Sequence, residues 1–387
     1  MLSKWLFCVV SAVGAAVLTA LVMHLALRRW RCKKDAHWTE RARMLWQARR
    51  AIVGAVLSST GLALLAWMRL FPGEDGRWWL MGIVVGVLAG SYPSAREIEP
   101  RYRFGVWLEQ TFWAGVVQFG MVVIFLGLMF TMPKEMEAGD WGRAAFGILT
   151  VALILTGVWV PLMEKLFGKE HPEWERLKRL VGEVTAVTGV KPKHVWLGVT
   201  PVANAAALVH VNGVVVTSRL MEILNDAELR AVLFHEMAHL RENLGVRLAR
   251  LAGALCWMAL VFFKPVLYQY GLLGVAGLMG GTLAVMRLSQ NLARRLENRA
   301  DEAAMIGAED SADYARALEK LYEANQMPAV MRGRMVHPHL YDRMVAAGVT
   351  PDYPRPEPPG TMAWPGWAVL ALPVAGYAAL IVERMME

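Results

Sequence analysis

The stretch NDAELRAVLFHEMAHL, residues 225–240, decides the fold of the polar part of this chain. It opens on Asn225 and has Glu228 three residues later, which is the spacing of a capping box at the start of an α-helix. Two histidines, His235 and His239, stand four positions apart near its end. Because positions i and i+4 share one face of a helix, the sequence predicts a helix that presents two imidazoles side by side.

This His-Glu-x-x-His pattern is typical of a zinc site. The two imidazoles can bind one Zn²⁺ from a single helix face, and Glu236, one residue further on, reaches a water beside the metal rather than the metal itself. The motif alone is short enough to occur by chance. Its place on a capped helix, after a predicted strand hairpin, favours a metal-binding function.

A catalytic zinc needs a third protein ligand and one open position. The segment Glu297-Asn-Arg-Ala-Asp301 lies on a later predicted helix. We expect Glu297 to complete a His₂Glu site, and Asp301, one turn on, to hydrogen-bond a ligand histidine. Glu302 is the alternative third ligand.

The rest of the chain is too apolar for a soluble protein. Of its 387 residues, 56% are hydrophobic and only 19% are charged, and the mean hydropathy is +0.35. Soluble chains are about 45–50% apolar with glycine included and about 25% charged. The composition therefore predicts a membrane protein. The three scattered cysteines offer neither a disulfide framework nor a cysteine zinc site.

Crossing a bilayer takes about 20 mostly apolar residues. Eight candidate spans result, of which the third and seventh are short, and the sixth and seventh are expected to form a hairpin. The candidates are 5–27, which we take as an uncleaved signal-anchor, 51–71, 78–93, 104–130, 144–163, 251–268, 272–286 and 364–382.

The distribution of basic residues predicts the orientation. Residues 28–50 carry nine Lys or Arg against two acidic residues, so this stretch is expected in the cytoplasm. The acidic loops 72–77 and 131–141 then lie outside and the basic loop 94–103 inside. This places the N-terminus outside and the polar block 164–250 in the cytoplasm. The net charge of +8 is thus a topology signal, and we expect no nucleic-acid partner.

The polar blocks contain further elements. Residues 173–189, 288–306 and 311–325 have helical spacing, and 194–199 is predicted as a strand. Asn212-Gly213 predicts a two-residue hairpin turn between strands 205–211 and 214–217. Six prolines in 351–365 indicate an extended linker. The expected domains are a membrane domain 1–163 of about five spans, catalytic parts 164–250 and 287–362, a membrane hairpin 251–286 and a C-terminal span 364–387.

A helix with HExxH followed by a helix with ExxxD resembles the M48 family of zinc metallopeptidases, which includes HtpX-type and Ste24-type membrane proteases. The pair Asn204-Ala205 before the hairpin and the late element HPHLYDR, residues 337–343, also match that family. The resemblance covers roughly 170–345 and is specific, since four separated elements occur in the family's order. It implies a mainly α, polytopic membrane protein with a gluzincin-like α+β catalytic domain that carries a small β-hairpin or sheet and one catalytic Zn²⁺.

The resemblance also implies residue roles. Glu236 would act as general base, His337 would stabilise the oxyanion, and Arg343 would hold substrate or site. Asn204 would position a substrate backbone that adds to an exposed strand edge.

The function implied is a membrane-embedded zinc endopeptidase of the prokaryotic cytoplasmic membrane, which acts on membrane, unfolded or misfolded polypeptides in protein quality control. Three alternatives stay open. They are a Ste24-like protease that processes CAAX-type substrates, an M56-like proteolytic signal transducer, and a zinc-binding membrane protein without hydrolytic activity.

Overall fold

The computed structural model describes residues 2–72, 79–161, 171–333 and 337–386. It is mainly helical, as the sequence predicts. The chain divides into two compact units. The first comprises Met1–Trp107, Asn325–Arg332 and Tyr353–Glu387, and the second comprises Leu108–Ala324 and Gly333–Asp352.

The first unit is built from helices that pack through small residues. Its helices are α1 (Leu2–Ala26), α2 (Arg28–Cys32), α3 (Trp38–Leu70), α4 (Trp79–Ile98) and α14 (Trp364–Met386). A Cβ on Gly86 of α4 would stand 2.1 Å from the carbonyl oxygen of Ala12 on α1, and Gly82 and Gly90 meet α1 in the same way. Such small residues let the backbones of membrane helices approach closely. Val13 on α1 keeps 58% of its surface exposed, as expected of a side chain that faces lipid.

Six helical stretches in the described part of the chain are long and apolar enough to cross a membrane, where the sequence predicts eight spans. They are Ser3–Cys32, Trp38–Leu70, Phe104–Thr131, Ala138–Thr156, Leu244–Gly307 and Trp364–Glu383. The predicted span 78–93 falls on α4, which is not among the six, and 251–268 and 272–286 fall within one stretch. Residues 73–78 and 162–170, which include parts of a predicted loop and of the span 144–163, lie outside the described residues.

The second unit carries the polar blocks. Its elements are α5 (Phe104–Thr131, which starts in the first unit), α6 (Ala138–Thr156), α7 (Trp174–Thr188), β1 (His194–Gly198), β2 (Ala205–Leu208), β3 (Gly213–Thr217), α8 (Ser218–Ile223), α9 (Asp226–Leu240), α10 (Leu244–Leu255), a 3₁₀ helix (Cys256–Phe262), α11 (Phe263–Gly307), α12 (Ser311–Ala324) and α13 (Leu340–Ala346). The predicted helices 173–189 and 311–325 are confirmed as α7 and α12.

A three-stranded sheet, in the order β1-β3-β2, supports α9. β1 runs parallel to β3 and β2 antiparallel to it, so β2 is an edge strand. The hairpin between β2 and β3 is present, but the predicted two-residue turn at Asn212-Gly213 is wrong. Gly213 is the first residue of β3, and the loop precedes it. Glycine is required there because a Cβ would stand 2.3 Å from the ring of Trp196.

The apolar stretch between the two polar blocks reverses direction at Gly271. Its φ of 59° and ψ of −157° are not helical, and a positive φ of this kind favours glycine. On either side of it, Gly253 of α10 lies directly against Ser289 of α11. The chain therefore returns upon itself, as the predicted hairpin requires, and brings the end of α11 back to α9.

Candidate metal centre and active site

Helix α9 begins at the predicted capping box, which is confirmed. The Asn225 side chain accepts a hydrogen bond of 2.9 Å from the backbone N–H of Glu228, and the Glu228 carboxylate accepts one of 2.9 Å from the Asn225 N–H. Lys320 of α12 donates to the same carboxylate at 2.6 Å. The start of the helix is thereby fixed, and its last turns, which carry the HExxH motif, are buried.

His235 and His239 on α9 and Glu297 on α11 form a buried group whose ligand atoms all lie within 4.8 Å of one another. The Nε2 atom of His235 is 3.6 Å from Oε2 of Glu297, and Nε2 of His239 is 3.6 Å from Oε1. Two ligand atoms on one tetrahedral zinc stand ~3.3 Å apart. The three residues therefore fit a zinc ion in both spacing and chemistry.

The Glu297 carboxylate supports the same conclusion. Its Oε2 atom is buried and lies 2.8 Å from Nδ1 of His337, but it has no hydrogen bond of good geometry among the described residues. A buried carboxylate oxygen without a well-formed hydrogen bond is costly, and a metal ion at this position would satisfy it. The alternative ligand, Glu302, is exposed on α11 and is not part of the buried group.

The Nδ1 atom of His235 is held on the side away from Glu297. It lies 2.7 Å from the hydroxyl of Tyr314 on α12 and 3.1 Å from Oδ1 of Asp301, and the same hydroxyl donates to Asp301 at 2.7 Å. Partners of this kind keep the proton on Nδ1 and leave the Nε2 lone pair for a metal.

His239 has its own carboxylate. Its Nδ1 atom lies 3.1 Å from Oε1 of Glu242, and this oxygen also accepts a hydrogen bond of 2.6 Å from Arg250. No motif in the sequence marks Glu242, although its position three residues after His239 places it on the same side of the chain. Both ligand histidines are thus oriented by a carboxylate at Nδ1.

Arg343 is buried and holds Asp301 rather than facing open solvent. Its Nε donates to Oδ2 of Asp301 at 2.9 Å, and its terminal nitrogen donates to Oδ1 at 2.6 Å and to the Tyr314 hydroxyl at 2.5 Å. Burial raises the pKa of Tyr314 well above its usual value, so the phenol stays protonated. The resemblance implies that Arg343 holds either the substrate or the site. These contacts fit the second role.

In the metal-free protein, the surroundings of His235 favour the protonated form of its imidazole. Burial alone would lower the pKa of His235, but Asp301, Glu297 and Glu236 outweigh it and raise the pKa to about 9. The pocket is therefore built for a positive charge, which either a proton or a metal ion can supply.

Glu236 is held by the edge strand. Its Oε2 accepts a hydrogen bond of 2.7 Å from the backbone N–H of Ala207 in β2. Thr217 N–H donates to the Asn204 carbonyl on the β3 side, and bonding alternates along an antiparallel pair. Ala205 and Ala207 therefore point their backbone groups toward the free edge. Asn204 immediately precedes this strand, and it is exposed.

His337 lies beside the Glu297 carboxylate of the candidate metal site. Its Nδ1 atom is 2.8 Å from Oε2 of Glu297, and its side chain is 59% exposed. It borders a cavity of about 490 Å³ together with Asp301, Tyr314 and Arg343. All the site residues that the sequence analysis names on α9, α11 and the late element thus meet here, with Tyr314 and Glu242 in addition.

Part of this chain is similar to known proteins. Residues 172–349 match the family model of peptidase family M48. The chain is 26% identical over 246 residues to a protein named "Protease HtpX homolog" from Persephonella marina, a match that covers 58% of this chain and 85% of that protein. It is 24% identical over 234 residues to a protein of the same name from Methanothermobacter thermautotrophicus, covering 58% of this chain and 88% of the relative.

The matched range 172–349 contains the HExxH helix, the buried third carboxylate and the late HPHLYDR element. The six apolar helical stretches of the described residues are those of an integral membrane protein. Residues 172–349 therefore match a domain of peptidase family M48, and the chain is similar to HtpX-like membrane proteases.

Proposed function

We propose that the protein is a zinc-dependent endopeptidase with one catalytic Zn²⁺ held by His235, His239 and Glu297. The observation that carries the proposal is the buried three-ligand group, with Glu236 on the same helix and fixed by the edge of β2. Zinc in such a site polarises a carbonyl and lowers the pKa of a water to about 7.

The side chains around the group then have separate tasks. Glu236 takes the proton of the attacking water and passes it to the leaving amine. When His337 is protonated on both ring nitrogens, its Nδ1–H donates to Glu297 and its Nε2–H can donate to the developing oxyanion. Asp301, Tyr314 and Glu242 keep both ligand imidazoles in one tautomer, and Arg343 holds Asp301 in place.

The free edge of β2 is the proposed substrate-binding element. An extended peptide that pairs with the backbone of Ala205 and with the carbonyl of Ala207, whose N–H holds Glu236, would add a strand to the sheet next to Glu236. Asn204 would contact the peptide backbone at the end of the strand. Recognition through backbone hydrogen bonds selects little for sequence. It suits unfolded segments and the loops of misfolded membrane proteins.

We propose that this domain lies on the cytoplasmic face of a prokaryotic inner membrane, with the N-terminus outside, and the positive-inside pattern supports this orientation. A protease in this orientation reaches membrane proteins whose cytoplasmic segments have unfolded. This agrees with a function in quality control.

The proposal is tested with full-length protein in detergent and a reduced, unfolded reporter protein as substrate. We expect one zinc ion per chain and endopeptidase cleavage in the wild type, and loss of both in Glu297→Gln. The control Glu302→Gln removes the exposed neighbouring carboxylate and should keep both. Zinc and cleavage retained in Glu297→Gln but lost in Glu302→Gln would contradict the ligand assignment, and a zinc-loaded wild type that cleaves no reporter would contradict the function.

A further inference from the structure

A second cavity, of about 560 Å³, lies in the second unit apart from the metal centre. The described residues that line it include no acidic side chain. Its basic side chains come from the loop before β1, from the first residue of β1, from the loop between β2 and β3, and from α10. They are Lys191, Lys193, His194, His210 and Arg247. A cleft lined by charge of one sign concentrates the opposite charge, so this cavity favours an anion.

The positive charges of this basic cavity are not neutralised inside it. Arg247 donates to the backbone carbonyls of Glu242 and Leu240, at 2.8 and 2.7 Å, rather than to a carboxylate. Within the described residues, no ion pair involves Lys191 or Lys193. The nearby Glu242 does not line the cavity, and its Oε1 atom contacts His239 and Arg250.

The pKa of His210, which also lines the cavity, is affected by the same positive charges. Burial, followed by the positive charges of Arg247 and Arg250, lowers the pKa of His210, and Glu242 offsets this only in part. The cavity is thus a place where positive charge is already in excess.

The basic cavity also lies at the border of the membrane-spanning part. Pro161, which lines it, follows the candidate span Ala138–Thr156 by five residues, and Arg247 is the fourth residue of the candidate span Leu244–Gly307. On the same helix, Leu244 and Leu248 are 70% and 54% exposed. Basic groups next to outward-facing leucines at a span end match the two parts of a phospholipid, a charged headgroup and apolar chains.

We propose that the basic cavity binds the phosphate group of an acidic phospholipid headgroup, with the acyl chains along the exposed leucines of α10. Arg247 and the two lysines supply charge-assisted hydrogen bonds to the phosphate oxygens. Arg247 also bonds the carbonyl of Leu240, the residue after the ligand His239. A bound headgroup would therefore hold the end of the HExxH helix.

The test uses the full-length protein in neutral detergent, with labelled dioleoyl phosphatidylglycerol as the probe, dioleoyl phosphatidylcholine as the comparison lipid and inorganic phosphate as the competitor. We expect tighter binding of phosphatidylglycerol than of phosphatidylcholine, and displacement by excess phosphate. The double variant Lys191→Gln/Lys193→Gln should bind phosphatidylglycerol at least about tenfold more weakly, and Arg247→Gln should do the same where it folds.

The matched control Lys178→Gln/Arg316→Gln removes two exposed basic side chains on α7 and α12, outside the cavity, and should leave the affinity unchanged. Equal binding of phosphatidylglycerol by wild type and the Lys191/Lys193 double variant would overturn the proposal, as would an equal loss in the control. Phosphate binding without any preference for phosphatidylglycerol would overturn the assignment to lipid. None of these readouts depends on zinc or on proteolysis.

Discussion

At the residue scale, one hydroxyl group connects the metal centre to its support. Tyr314 lies between Nδ1 of His235, Oδ1 of Asp301 and the Arg343 guanidinium, all within 2.7 Å. It is 2% exposed. Since it is fully buried among charged groups, its loss leaves the imidazole with one partner fewer and no replacement from water.

We therefore predict that Tyr314→Phe lowers zinc affinity by about 10- to 100-fold, the usual effect of losing a partner of a ligand histidine. Competition with a chelator of known zinc affinity measures this. The control is Tyr377→Phe, which removes an exposed hydroxyl from α14 and should change nothing. An unaltered zinc affinity in Tyr314→Phe would show that the hydroxyl does not orient His235.

The raised pKa of His235 predicts a pH dependence in the metal-free protein. The folded pKa is about 9, above the usual value near 6.5. The charged imidazole therefore contributes stability that is fully present below about pH 6.5 and is lost as pH rises through about 9, on the order of 3 kcal/mol. Thermal unfolding in detergent after zinc removal should show Tm falling over this range, and the decline should be much smaller in His235→Gln. An equal decline in both would assign the effect to other groups.

How much of the site can be predicted depends on whether a residue lies on the motif's own helix. The HExxH spacing identifies His235 and His239 because a helix fixes their geometry locally. Glu297 can be chosen over Glu302 only once α11 is placed against α9. Tyr314 has no signal in the sequence, since it reaches His235 only through the packing of α12 on α9.

At the scale of single elements, β2 combines two tasks. Its Ala207 N–H points away from β3 and holds Glu236, while the neighbouring backbone groups of the edge remain for a substrate. Proline is tolerated in an edge strand where the N–H does not take part in the ladder. This allows the contact to be removed without removing the strand.

We predict that Ala207→Pro lowers kcat/KM by about 10- to 100-fold, since it deletes one hydrogen bond to a charged group, with zinc content and Tm near those of the wild type. The comparison variant Ala206→Pro removes an N–H on the β3 side and should destabilise the sheet. Wild-type kcat/KM in Ala207→Pro would contradict a function for this bond in positioning Glu236.

The elements also show where local patterns mislead. Asn212-Gly213 predicts a turn, yet Gly213 belongs to β3 because only glycine fits against Trp196. The break at Gly271 agrees with the predicted hairpin. Glycine is favoured there because the backbone has a positive φ, which depends on the local chain and not on a distant neighbour. A glycine that is needed for its backbone conformation can be predicted from the sequence. A glycine that is needed because another side chain packs against it can be explained only when the position of that side chain is known.

At the scale of the whole molecule, the chain is an integral membrane protein whose orientation is a prediction from charge. Cys32 is an exposed free cysteine in the basic stretch 28–50. In the variant Cys8→Ser/Cys256→Ser it is the single thiol. We predict that a membrane-impermeant maleimide labels it in inverted vesicles and not in intact spheroplasts, and the reverse pattern would place the catalytic domain outside the cytoplasm.

The most direct test of zinc-dependent peptide hydrolysis at this site is the activity of Glu236→Gln. The substitution keeps the side chain's size and all three metal ligands, and removes only the proton acceptor. We predict one zinc per chain, as in the wild type, with cleavage of an unfolded reporter reduced at least about 100-fold. The surface control Glu222→Gln should retain activity. Zinc-loaded Glu236→Gln that cleaves the reporter at the wild-type rate would contradict this prediction.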